Sequence, residues 1–470
     1  MPPDAEHAAA SSVDDGDGIW DRRHRALTIG LVLTVAFTAF EALAVATVLP
    51  VTVKDVGGLH LYGWTFSAFM LANLVGIVAA GRASDRRGPA YPFTAGTMLF
   101  VGGLLVAGFA PSMPVVVAGR LVQGFGAGAI SAVSYAAIAS GYADAAKPRM
   151  LALLSSAWVV PGLVGPALAG LIADHVGWRV VFVGLAPPTV AAAALAIPAL
   201  RRLPRAPEAA ADADRTRVAV ALAAGVGCTL LALDRGATPA TALLLAGGLA
   251  LGVPALRRLL PAGTLRAAAG QPAALVVMGL IGFAFFGAEA FVPLALTDVR
   301  GQSATFAGLP LTLGTLTWTA GAWVQAREAP RRSRRALIAL GVVLIALGIA
   351  STASILLPRV PLAAATLAWG VAALGMGIAY STSALAILET APAGREGESA
   401  AALQLAMTLG TALGTGVGGA VLATLSHAAW PLASAIAAVD AATVATLLLA
   451  LLVTRRLPGR PARETPRAGA

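Results

Sequence analysis

The stretch Trp158-Val-Val-Pro161-Gly162-Leu-Val-Gly165-Pro166-Ala-Leu-Ala-Gly170-Leu171 decides the fold. It is apolar throughout, yet it carries two prolines and three glycines, which would ruin the interior of a soluble helix. Within a bilayer those residues are tolerated, and small ones let a neighbouring backbone come close. Pro161, Gly162, Gly165, Pro166 and Gly170 therefore read as a bent, closely packed helix of a membrane bundle.

The rest of the chain has the same character. Of its 470 residues 58% are hydrophobic and only 12% charged, about half the charge of a soluble protein. A spanning helix needs about 20 apolar residues. Runs near that length fall at 26–50, 61–81, 91–111, 115–140, 150–173, 179–200, 218–234, 239–256, 272–297, 304–325, 336–357, 362–388, 400–425 and 430–453. The expected fold class is an all-α polytopic membrane protein with fourteen spans, of which the seventh and eighth are the shortest.

The net charge of +10 does not indicate a nucleic-acid partner, because the basic residues sit in short clusters between apolar runs. That is how orientation is written in a bilayer. With the N-terminus inside, the inner segments hold 27 Lys and Arg against 5 outside, and Arg120 lies within a helix. Both termini are thus expected in the cytoplasm. The five histidines fall in tails or loops, so no metal site is expected in the membrane, and the single Cys228 allows no internal disulfide. Residues 1–25 read as a disordered cytoplasmic tail, 26–200 and 272–453 as two six-helix bundles, 201–271 as a linker with two extra spans, and 454–470 as a second tail.

The two bundles echo each other. Phe37-Thr-Ala-Phe-Glu41-Ala42 in the first run is matched by Phe285-Phe-Gly-Ala-Glu289-Ala290 in the ninth. The glycines of the fifth run are matched by Gly410, Gly414, Gly416, Gly418 and Gly419 in the thirteenth. Repeated halves with a site at their midplane interface are the mark of secondary transporters. Charge within the bilayer is costly and marks function, which singles out Glu41, Glu289 and Arg120. Desolvation penalises the charged carboxylate, so such an acid can load and release a proton near neutral pH, or stay protonated and bond a neighbouring helix. Arg120 cannot shed its charge and needs a carboxylate or a substrate anion.

Several motifs resemble those of the major facilitator superfamily, in matching order. The loop Gly81-Arg-Ala-Ser-Asp85-Arg86-Arg87-Gly88 is similar to its signature loop between the second and third helices. There the resemblance implies a cytoplasmic clasp that holds the outward-open state. The segment Arg120-Leu-Val-Gln123-Gly124-Phe-Gly126-Ala-Gly128 resembles the fourth-helix motif, whose arginine is implicated in proton coupling. The opening stretch resembles the antiporter motif of exporters. Trp178-Arg179-Val-Val-Phe182 resembles the segment that follows it in the fourteen-helix drug:proton antiporter branch. Departures are Pro89-Ala90 after the loop motif, Glu41, Leu43 and Ala46 for the usual Asp, Thr and Asn of the first helix, and Pro161 and Ala169 for antiporter glycines.

The resemblance implies a proton-coupled exporter of amphipathic or hydrophobic small molecules in the inner or plasma membrane. It would work by alternating access, as a monomer, with the proton gradient as energy source and no cofactor. A dedicated exporter of a lipid, siderophore or secondary metabolite is the alternative on the same fold. No cluster of residues suited to an enzyme stands out.

Overall fold

The computed structural model describes residues 18–22, 24–203, 213–235, 238–392 and 395–458, and their regular secondary structure is entirely helical. The first six long helices are α1 (Arg25–Val56), α2 (Trp64–Arg87), α3 (Ala90–Gly108), α4 (Met113–Gly141), α5 (Lys147–His175) and α6 (Trp178–Leu200). A hairpin of α7 (Ala213–Asp234) and α8 (Pro239–Leu259) follows. The last six are α9 (Gln271–Val299), α10 (Ala304–Glu328), α11 (Arg334–Leu356), α12 (Leu362–Glu389), α13 (Glu396–His427) and α14 (Leu432–Thr454).

Thirteen of these are long and apolar enough to cross a membrane. The exception by composition is α10, whose 25 residues include five threonines. At about 1.5 Å per residue the 22 and 21 residues of α7 and α8 reach roughly 30 Å, the thickness of the hydrocarbon layer. The expected tails lie partly outside the described residues (1–17, 23 and 459–470), as do 204–212 of the linker. The described end of the first tail is folded. The Asp21 carboxylate accepts from the His24 backbone N–H at 2.6 Å, and the Thr28 hydroxyl donates to the Ile19 carbonyl at 2.7 Å.

Close helix contacts reveal the internal repeat. Gly76 of α2 lies against the Phe125 carbonyl of α4, and Gly321 of α10 against the Leu374 carbonyl of α12. Gly128 meets the Asn73 carbonyl, and Gly377 the Trp318 carbonyl. Gly126 meets the Gly96 carbonyl of α3, and Gly375 the Gly341 carbonyl of α11. In each case a Cβ would strike backbone, so only glycine permits the approach. Positions in α2 and α3 recur 245 residues later, and those in α4 recur 249 later. The α7–α8 hairpin packs Leu222 and Leu230 against Leu71 and Leu74 of α2 and Leu405 and Leu409 of α13, covering the seam between the halves.

The halves close on each other at the end away from the start of α1 and the finish of α14, here called the distal end. Ser67 of α2 donates to the Ala412 carbonyl of α13 at 2.8 Å, and Lys54 pairs with Asp298 at 3.6 Å. Asp174, in the last turn of α5, reaches across to the start of α10. Its carboxylate accepts from the backbone N–H groups of Ala304 (3.0 Å) and Thr305 (2.9 Å) and from the Thr305 hydroxyl (2.6 Å). Those amides are orphan donors of a helix N-terminus, where an anion is favoured. One residue thereby caps a helix of the opposite half, and parting the halves must uncap it. Removal of such a cap costs about 1 kcal/mol, or about fivefold in an equilibrium. Asp174→Ala should therefore raise the distal-open fraction about fivefold, read from spin-label distances between Val176 and Leu357. An unchanged distribution would mean that the cap does not hold this end closed.

Candidate functional site

The sequence-derived charges Glu41 and Arg120 meet within the first half. Glu41 stands midway along α1 and Arg120 on α4, 1% and 2% exposed. Arg120 Nη1 donates to Glu41 Oε1. Gln123, one turn along α4, accepts from the same Nη1 at 3.1 Å and donates to Glu41 Oε1 at 3.3 Å. The guanidinium lies 4.2 Å from the ring centroid of Phe69, and its Nε donates to the Thr65 carbonyl at 3.1 Å. Arginine suits this place because its planar fork serves several acceptors while its flat face stacks on an aromatic ring. Both hydrogen bonds to Glu41 end on Oε1, and Glu41 Oε2 is buried without a partner. A buried polar atom without a partner is costly and calls for a role. Here the vacant oxygen can accept a proton, which would cancel the charge that Arg120 offsets.

Glu289 is held differently. It ends the regular part of α9, is partly buried, and has no ion pair or hydrogen bond among the described residues. Phe285, one turn earlier on the same face, packs its ring 4.9 Å from Trp369 and 5.5 Å from Trp318, which stands 5.8 Å from Tyr380. By the 249-residue repeat of α4 in α12, Trp369 occupies the place of Arg120. It is fully buried, and its indole Nε1 lacks a partner. One acid thus has a built-in cation, and its counterpart has an aromatic wall instead.

The helix quoted first lies between the halves. α5 is interrupted at Ala157–Trp158 after its first ten residues, and Pro161 falls in the first turn of its second piece. Gly162 faces Thr315, Gly165 faces Phe40, and Gly170 lies against Ala304 and Thr305, while the Pro166 carbonyl abuts Gly308. Gly170 and Pro166 pack against backbone, Gly162 and Gly165 against side chains, and none of them carries a titratable group.

In the loop of Gly81, Asp85, Arg86 and Gly88, Gly88 ends α2 with φ of +80°, a conformation that favours glycine. The expected charge clasp is not formed. Asp85 makes no ion pair among the described residues, Arg86 is exposed, and Arg87 stacks over Tyr91 at 4.6 Å. The resemblance ties that clasp to the outward-open state. Glu389 ends α12 and pairs with Arg334 at 2.8 Å. Asp440 of α14 borders a small cavity with Phe291, Val292 and Thr352.

Sequence reasoning gave no role to Gln123, Thr65, Phe69 or Asp174. Gln123 was legible only as part of a motif, and the others carry no signal beyond their residue type. A hollow of about 630 Å³ at the distal tip of α7 and α8 is walled by Leu233, Arg235 and Leu245 and holds none of these groups. No group of three or more His, Cys, Asp or Glu residues able to hold a metal occurs among the described residues.

Breaking a buried ion pair by removing one partner costs about 3–5 kcal/mol, because the survivor is left uncompensated. Arg120→Ala should thus lower the thermal midpoint in detergent well below that of the double variant Glu41→Gln/Arg120→Ala. Equal midpoints would show that the pair is not buried as described.

Comparisons with known proteins agree with this architecture. The chain is 29% identical over 320 residues to an uncharacterised MFS-type transporter of Mycobacterium tuberculosis, covering 64% of this chain and 46% of that one. It is 33% identical over 160 residues to a probable multidrug-efflux transporter of the same organism, covering 34% of each. The chain therefore spans less than half the length of these curated relatives. In fold it is similar to a bacterial homologue of the lysosomal transporter Spinster in an inward-facing, unoccupied conformation (TM-score 0.68, 15% identity, 93% of this chain and 98% of that one). It is also similar to a D-xylose–proton symporter (TM-score 0.65, 15% identity, 92% and 98%). The family profile described as Major Facilitator Superfamily matches residues 29–415. The chain is a multi-pass, all-helical membrane protein and belongs to the major facilitator superfamily.

Proposed function

We propose that this protein is a proton-coupled exporter of amphipathic or hydrophobic small molecules, of the fourteen-helix drug:proton antiporter type. It would lie in the inner or plasma membrane with both termini in the cytoplasm. The observation that carries the reading is the buried Glu41–Arg120–Gln123 cluster, in which a carboxylate keeps one oxygen free. On this reading the distal end faces outward, and the closed distal contacts describe an inward-open state. Support for that orientation comes from the excess of basic residues in segments at the other end. The fold itself is neutral on direction, since a symporter shares it. Export is favoured by the packed proline–glycine helix α5 and by the partial likeness to relatives named for multidrug efflux.

Mechanistically, the halves rock about the space between them. A proton taken up on Glu41 removes the charge that Arg120 offsets, so the cluster must rearrange before that proton leaves on the other side. Glu289 binds either a proton or the positive end of a substrate, because no arginine stands opposite it and aromatic rings favour organic cations. No cofactor is needed beyond the gradient, and a monomer holds every group named. A dedicated exporter of a lipid, siderophore or secondary metabolite would use the same groups.

Everted vesicles with an acid interior test the assignment, using accumulation of the lipophilic cation ethidium. The native protein should accumulate it in proportion to the imposed pH difference. Glu41→Gln should lose that dependence, and Glu289→Gln should lose accumulation of ethidium. If both variants accumulate it with unaltered pH dependence, these acids do not couple transport to protons.

A further inference from the structure

A series of hydrogen bonds runs from Glu41 across to the other half and ends on the backbone beside Glu289. Arg120, paired with Glu41, donates from Nε to the Thr65 carbonyl at 3.1 Å. The Thr65 hydroxyl donates to the Tyr62 carbonyl at 2.7 Å. The Tyr62 hydroxyl then reaches into the other half and donates to the Ala290 carbonyl at 2.9 Å. Ala290 directly follows Glu289, at the point where α9 is interrupted before its wider turn over Ala295–Val299. Tyr62 is fully buried, its ring 5.9 Å from Phe66 and 5.4 Å from Phe291. Asp298 lies on the same broken segment and pairs with Lys54 of α1.

From this geometry we infer that Tyr62 is the positioning residue that links the state of Glu41 to the break in α9 beside Glu289. The inference rests on the reading of Glu41 as the proton site. Where a membrane helix breaks, its carbonyls must find donors from neighbouring elements, and Ala290 finds one in the opposite half. Tyr62 therefore holds the distal end shut only while the first turn of α2 is in place. That turn is in turn held by Arg120, whose position depends on the charge of Glu41. When Glu41 is neutral, Arg120 loses its ion-pair partner, its hold on the Thr65 carbonyl relaxes, and the Tyr62 hydroxyl leaves Ala290. The halves part distally and the segment beside Glu289 is released. Spatial continuity alone does not establish coupling, and a double-mutant cycle does.

The cycle uses the full chain with Cys228→Ser and spin labels at Val176 and Leu357, reading the fraction open distally at fixed pH without ligand. Glu41→Gln should raise that fraction about fivefold or more in the native background, the scale expected for a loss near 1 kcal/mol. In the Tyr62→Phe background, which keeps the ring and removes only the hydroxyl, the same change should have little further effect. Thr65→Val, which removes the intermediate donor, should behave like Tyr62→Phe. Additive effects in both backgrounds, or no effect of Glu41→Gln in either, would overturn the inference. Failure of the proton-coupling reading shows separately, as native accumulation in vesicles that ignores the pH gradient while this cycle remains non-additive.

Discussion

The structure depends on one constraint, that a charge taken out of water must be met by a partner fixed in place. An isolated carboxylate or guanidinium buried in protein costs several kcal/mol, and the mutual attraction of a pair offsets this only with good geometry and further hydrogen bonds. Glu41 and Arg120 satisfy the condition through Gln123, the Phe69 face and the Thr65 carbonyl. These partners come from α1, α2 and α4, so the charge pair fixes how three helices of the first half sit. Small residues allow that arrangement, since Gly124 lies against the Phe69 backbone and Gly128 against that of Asn73.

The second half repeats the framework and changes the chemistry. The glycine contacts of α2 with α4 recur in α10 with α12, so the two halves share a backbone plan. At the Arg120 position stands Trp369, and Glu289 has no cation beside it. A repeat that keeps the acid and loses the arginine leaves a negative group for something else to neutralise. Contacts between the halves gather at the distal end, where Asp174 caps α10 and Tyr62 reaches Ala290. Each of these is a bond between moving parts and carries a conformational preference as well as stability.

Much of the fold was legible in the sequence, because a spanning helix must be an uninterrupted apolar run and the bilayer sets its length. Even α10, the least apolar span, was legible as the run at residues 304–325. The two acids and Arg120 stood out for the same reason, as charges where none is cheap. Their pairing was not legible, since Glu41 and Arg120 lie 79 positions apart and nothing local says which acid Arg120 meets. Tyr62 and Asp174 were invisible because their roles depend on backbone groups of the other half, which no motif encodes. The Asp85 loop shows the opposite case, a motif recognised in sequence whose expected clasp is not formed among the described residues.

Competition of substrate and protons for Glu41 and Glu289 would appear as proton release on ligand binding. Ethidium is added to the purified protein in weakly buffered detergent solution, and the pH change is followed with an indicator dye. The account predicts net release of protons on binding, strongly reduced in the double variant Glu41→Gln/Glu289→Gln. Saturable binding with no proton release by the native protein would contradict it.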